Sequence, residues 1–198
     1  MSTTSTDLEL WLIRHGETEW SASGKHTSRS DVPLTARGHR SAQAIGRYLA
    51  GWQFSMVLTS PRQRAQETCN IAGYSTRAVV DENLAEWDYG DYEGRTTTDI
   101  RSKQVDWSIW SAPVPGGESI ERVAERAQSI VEGAQSAGGK VALFSHAHFL
   151  RILAAVWIGL TARSGRLLSL GTGSVSILGF ERETRVIQEW NHSFESEV

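Results

Sequence analysis

Residues 8–16 read Leu8-Glu9-Leu10-Trp11-Leu12-Ile13-Arg14-His15-Gly16. Apart from Glu9, positions 8–13 are apolar, which predicts a central strand buried on both faces. The strand runs straight into Arg14-His15-Gly16, so a guanidinium and an imidazole are delivered to its carboxyl end. A similar arrangement recurs downstream. Residues 140–144 predict another buried strand, which opens into Ser145-His146-Ala147-His148 and a helix to 159. In open α/β sheets, ligands bind outside the carboxyl ends of strands where the strand order reverses. If these two strands are neighbours there, both clusters meet in one cleft. Adjacent helix N-termini then add N–H donors and positive dipole ends suited to an anion.

Working outward, residues 17–34 read as a loop, and Thr35 caps a helix through 49 with Ala42, Ile45 and Leu49 on one face. A strand is predicted over 54–58. Ser60 then reads as an N-cap, Pro61 as the first helical residue and Gln63 as the third member of a capping box, which puts Arg64 in the opening turn. A short strand at 77–80, a polar-aromatic loop at 84–94 and a helical stretch at 98–110 follow, the last ended by 113–117. Residues 119–135 form an amphipathic helix with Ile120, Val123, Ala127, Ile130 and Val131 on one stripe. Strands at 174–180 and 184–190 form a hairpin around Arg182-Glu183. Strands alternating with helices predict a three-layer α/β/α sandwich around a mostly parallel sheet. No repeat or linker divides residues 1–198, so one domain is expected, with 1–7 as a flexible tail.

The bulk properties narrow the function by exclusion. A net charge of -3 over 198 residues gives no reason to expect a nucleic acid or an acidic membrane as partner. An anion site must therefore come from a local cluster of arginines. The single cysteine, Cys69, cannot form an internal disulfide and fits a reducing, cytoplasmic setting. The longest apolar run, 149–160, is short for a membrane span and contains Arg151. Eight tryptophans are many for this length; they suit core and pocket walls, and leave room for a homodimer interface.

Taken singly, each piece is weak. A lone histidine is usually a satisfied polar residue, a lone arginine is usually solvated, and His146 with His148 also reads as a metal-ligand pair. Their combination resembles the histidine phosphatase superfamily, which includes the cofactor-dependent phosphoglycerate mutases. Arg14-His15-Gly16-Glu17-Thr18 is similar to its signature. Val32-Pro33-Leu34-Thr35 with Gly38, Ser60-Pro61 with Arg64, Ala65 and Thr68, and Leu84 with Glu86, Gly90, Glu93 and Gly94 follow in that family's order. Gly116-Gly117-Glu118-Ser119 and Ser145-His146 complete the series.

The resemblance implies a phosphoglycerate mutase-like fold and a phosphatase that needs no metal or other cofactor. It makes His15 the nucleophile, Arg14, Arg64 and His146 the clamp on the phosphoryl oxygens, and Glu86 the proton donor. Ser21, Thr27, Ser28 and Ala147 are expected at the substrate. Ser21 stands where many relatives have asparagine, and Ala147 where glycine is usual. Trp20, Trp87 and Tyr89 are expected to line the pocket, on a likeness to a sugar-phosphate and acid phosphatase subgroup that includes fungal sedoheptulose bisphosphatase. Trp107 and Trp110 fit that subgroup and fit helix packing equally well.

The segment 95–115 is shorter than in the mutases, where it encloses the substrate. A more open site lets water reach a phosphohistidine, which favours hydrolysis of small phosphorylated metabolites over return of the phosphate. Three alternatives stand beside this expectation: a mutase, a phospholigand-binding module without catalysis, and a metal-dependent phosphoesterase built on His146 and His148.

Overall fold

The computed structural model describes residues 7–194; the tail expected over 1–7 lies outside the described residues except for Asp7. The two strands that carry the clusters are neighbours. β1 (Glu9–Arg14) and β4 (Lys140–Ser145) pair in parallel, from Glu9 opposite Lys140 to Arg14 opposite Ser145. Beyond β4 lie β2 (Met56–Thr59) and β3 (Ala78–Val80), both parallel. Beyond β1 lie β5 (Ser174–Glu181) and β6 (Thr184–Ser193), both in antiparallel pairings. The order is β3-β2-β4-β1-β5-β6. From β1 the chain moves to one side of the sheet and from β4 to the other, so the order reverses between the two strands that end in Arg14-His15 and Ser145-His146.

Side-chain alternation sends β1 into two cores. Leu10 and Leu12 pack with Val141, Leu143 and the apolar faces of α5 (Ile120–Ala137) and α6 (Ala147–Trp157). Trp11 and Ile13 pack with Ala142, Phe144 and residues of α2 (Ala36–Leu49) and α3 (Gln63–Ile71). This is the expected α/β/α layering. Each fully buried Leu or Ile of β1 contributes roughly 1.5–3 kcal/mol. With both faces buried, a one-residue slip would exchange the two sets of side chains, so the register that places His15 is strongly held. Gly16 continues that precision: a Cβ there would lie 2.5 Å from the Gly38 carbonyl oxygen, so the turn after His15 packs directly on α2.

Three local expectations are corrected. Ser60 does not cap α3, whose N-cap is Arg62 without a side-chain bond. Instead Asp31, from a distant loop, accepts the Gln63 N–H at 2.9 Å, and Ser60 turns inward to His146. The helix expected over 98–110 is only α4 (Thr97–Arg101), followed by turns. Trp107 and Ile109, two apart, are both buried while Val105 is 80% exposed, a pattern no helix face can supply. Within the loop at 17–34, Thr18 and Ser21 form a capping box that starts a short helix, α1 (Glu19–Ala22).

Candidate active site

His15 emerges from the end of β1 and is 5% exposed. Its Nδ1 lies 2.7 Å from the Gly16 carbonyl oxygen. A carbonyl only accepts, so Nδ1 carries the proton and Nε2 carries a lone pair. Arg64 Nε donates to that lone pair at 3.3 Å. Burial, reinforced by Arg64 and Arg14, pushes the His15 pKa well below the usual 6.5. The ring is therefore neutral at neutral pH, with Nε2 unprotonated.

His146 stands 5.2 Å away, ring centre to ring centre. Its Nε2 is 2.7 Å from the Ser60 hydroxyl, which itself accepts the Arg62 N–H at 3.3 Å. If the hydroxyl donates to Nε2, the ring proton sits on Nδ1. That Nδ1 is enclosed and has no partner. Arg14 has one such group as well: its guanidinium donates to the Leu170 carbonyl at 2.5 Å while Nε is enclosed and unpartnered. Buried donors without acceptors cost about 1–3 kcal/mol each and call for an explanation. Here one such group belongs to the residue before His15 and the other to the ring whose centre lies 5.2 Å from it. Burial lowers the Arg14 pKa to about 10 against the pull of Glu86, so the guanidinium remains charged at neutral pH.

Arg64 is fully buried in the first turn of α3. Its fork donates to the carbonyls of Ser30 (3.0 Å), Thr27 (3.1 Å) and Ser28 (3.4 Å). Loop 27–30 is held on its N–H side by the Glu93 carboxylate, which accepts from Ser28 N and Ser30 N at 3.0 Å and from the Ser28 hydroxyl at 2.5 Å. The loop is thus stretched between an anion that takes its N–H groups and a cation that takes its carbonyls. Thr68, one turn after Arg64, accepts the Gly16 N–H and ties α3 to the turn after His15.

Glu86 is buried at the head of α6. Its carboxylate accepts N–H bonds from Trp87 (3.0 Å), Phe149 (2.9 Å) and His148 (3.2 Å), so it caps the helix that follows His146. Glu86, Arg14 and His15 open on a cavity of about 410 Å³.

Of the remaining predicted residues, Ser21, Thr27, Tyr89 and Ala147 line this cavity. The Ser21 hydroxyl is engaged by Thr18 within the capping box. Ser28, Trp20 and Trp87 are not among the residues that line it. The Ser28 hydroxyl faces Glu93 and the Tyr89 N–H. The Trp20 ring lies against Gly94 and beneath Lys25. Trp87 is 1% exposed, donates to the Glu118 carbonyl and backs Trp110 and His148 from behind.

Sequence reasoning missed Lys25, His26, Thr97 and Arg101 as lining residues, left Trp107 and Trp110 undecided and weighed His148 only as a metal ligand. None of these carries a local signal, because distant loops bring them together. His146 and His148 direct ring nitrogens to Ser60 and Tyr89. Among the described residues, no group of three or more His, Cys, Asp or Glu side chains is placed to hold a metal ion, and no helix is long and apolar enough to cross a membrane.

The sequence matches the profile of the histidine phosphatase superfamily (branch 1) over residues 10–193. The chain belongs to that family. It is 39% identical over 180 residues to an acid phosphatase of Mycobacterium tuberculosis, covering 89% of this chain and 88% of the relative. It is 35% identical over 181 residues to the sedoheptulose 1,7-bisphosphatase of Saccharomyces cerevisiae, covering 75% and 67%. The solved structure of a Mycobacterium tuberculosis open reading frame product superposes with a TM-score of 0.90 at 37% identity, covering 94% of this chain and 98% of that one. Its histidine phosphatase relatives thus include enzymes named as phosphatases, and the fold is that of the phosphoglycerate mutase-like group expected from the motifs.

Proposed function

We propose that this protein is a phosphomonoesterase acting on small phosphorylated metabolites, sugar phosphates foremost, through a phosphohistidine and without a metal. The observation that carries the reading is the unprotonated His15 Nε2 in company with enclosed nitrogens on Arg14 and His146 that have no partner among the described residues. A phosphoryl group drawn between them supplies the missing acceptors. Nε2 forms a bond to phosphorus as the ester oxygen leaves, and the Glu86 carboxyl gives that oxygen its proton. The Gly16 carbonyl holds Nδ1–H and steadies the positive phosphoimidazole. Arg14, Arg64 and His146 meet the charge on the equatorial oxygens, which carries most of the catalysis in phosphoryl transfer. Water then attacks phosphorus, Glu86 accepts its proton, and the P–N bond breaks to return His15.

The short 95–115 segment supports water as the final acceptor, and the relatives named acid phosphatase and sedoheptulose bisphosphatase support the substrate class. A cytoplasmic site of action fits the single cysteine. The test is a panel of sugar phosphates, glycolytic acids and nucleotides, assayed with and without chelator, beside acid-quenched enzyme given a radiolabelled ester. The expected result is release of inorganic phosphate, indifference to chelator and label retained on the wild-type chain but not on His15→Ala. His15→Ala should lose on the order of 10⁴-fold or more in kcat. Isomer formation without free phosphate would instead make the protein a mutase. Wild-type turnover in His15→Ala would overturn the reading.

A further inference from the structure

The cavity wall beyond the phosphoryl site holds an imidazole that the chemistry above does not use. His148 is the second residue of α6, and its backbone N–H donates to Glu86 Oε2. Its Nδ1 shares a 2.6 Å hydrogen bond with the Tyr89 hydroxyl, which itself adjoins the Glu86 carboxylate. The ring is braced by Trp110 at 5.2 Å and Trp87 at 6.3 Å between centroids, with His26 at 6.2 Å. Anchored at its backbone, one nitrogen and the ring, His148 presents its other nitrogen in a fixed direction. Nε2 has no partner among the described residues. Unlike Nδ1 of His146, it is not enclosed, and the residue lines the catalytic cavity.

The ring is also neutral. Burial pushes its pKa well below 6.5, with Arg151, His26 and Arg14 acting in the same direction. The Tyr89 phenol is held protonated by burial and by Glu86. A neutral phenol and a neutral imidazole can share their hydrogen bond in either direction, so Nε2 is able to donate or to accept. A hydroxyl matches both states, because it too donates and accepts. A carboxylate or second phosphate accepts only, and a plain aryl or alkyl group offers Nε2 nothing.

We propose that His148 Nε2 is a specificity-determining contact to a hydroxyl of the leaving group, so that the site selects polyol phosphates over monoesters that carry no hydroxyl. The apolar faces of Trp107 and Trp110 flank the same wall and suit the C–H side of a polyol chain. This inference rests on the phosphomonoesterase reading and narrows its substrate class.

The experiment compares kcat/KM for a pentose phosphate with that for phenyl phosphate in the wild type and in His148→Ala, His148→Asn and His148→Gln. Asparagine places its amide near the position of Nδ1, whereas glutamine reaches that of Nε2. The expected result is a fall in the polyol-to-aryl ratio of about tenfold in the Ala and Asn variants, expressed mainly in KM, with recovery in the Gln variant. An equal loss on both substrates in all three variants overturns the proposal and leaves the phosphatase reading intact. Recovery by Asn and not by Gln also overturns it, because it assigns His148 only to holding Tyr89. Failure of the wild-type enzyme to hydrolyse either ester overturns the phosphatase reading beneath it.

Discussion

The inner nest and the outer wall of this one cavity are built by different means. In the nest, Arg14 ends a central strand and His15 follows it, Arg64 opens a helix, and His146 immediately precedes another. Each is fastened to backbone or to a buried hydroxyl, and Arg64 and His146 are fully buried. In the wall, Lys25 and Arg101 are exposed and reach the cavity from loops and from a helix of five residues. A nest that stabilises one invariant phosphoryl group gains from rigidity. A wall that meets the variable remainder of the substrate belongs on loops, which tolerate change. His148 lies at the junction: it is carried by a core helix yet lines the cavity.

The comparison can be broken at several points. The largest effect is expected for Arg64→Lys, which keeps the charge but loses the fork that holds three carbonyls and His15. Steady-state kinetics should show a loss of about 10²–10³-fold in kcat/KM. A loss below fivefold would mean that charge alone suffices in the nest.

The second effect concerns stability and acid. The folded-state pKa values of His15, His146 and His148 lie well below 6.5, and that of His26 is also lowered, burial being the largest cause in each. Below the unfolded pKa of about 6.5 the unfolded chain binds protons that the folded chain refuses. Stability is therefore complete above that value and declines as pH falls, by up to about 1.4 kcal/mol per pH unit for each histidine. Melting temperatures measured between neutral pH and pH 5 should drop, and His26→Asn should flatten the decline. A flat profile in the wild type would show that these rings charge freely in the folded protein.

A smaller effect is expected for Glu93→Gln, which touches neither cavity nor substrate. The new amide group meets the N–H donors of Ser28 and Ser30 and slackens the loop that seats Arg64. A fall of about tenfold in kcat with a lowered melting temperature would match this indirect role. The smallest effect belongs to Trp20→Ala. Because that ring lies on Gly94 and not on the cavity, KM values should stay within about twofold and the substrate ranking should not change. A reordered ranking would return Trp20 to the substrate.

Much of this was legible in the chain because it is local. The run from 8 to 16 carries both the strand and the proposed nucleophile, and the apolar alternation that buries Leu10 and Trp11 in opposite layers fixes where His15 emerges. Thr35 caps the helix expected of it, and the amphipathic helix expected from Ser119 begins at Ile120 with Ser119 as its cap. Where contacts join distant segments, local pattern had no purchase. Ser60 reads as a helix cap, yet its hydroxyl serves His146, 86 residues away. Ser28 reads as a substrate contact, yet it is bound to Glu93, 65 residues away. His148 is unremarkable until Tyr89, Trp110 and His26 converge on it. What the sequence by itself determined is the family, through its ordered motifs, and the rigid elements that deliver Arg14, His15, Arg64 and His146, since strand and helix periods act over a few residues. Only the tertiary structure decided which loops close over that set and which ring nitrogens they leave without a partner, because those outcomes depend on packing between residues that the chain keeps far apart.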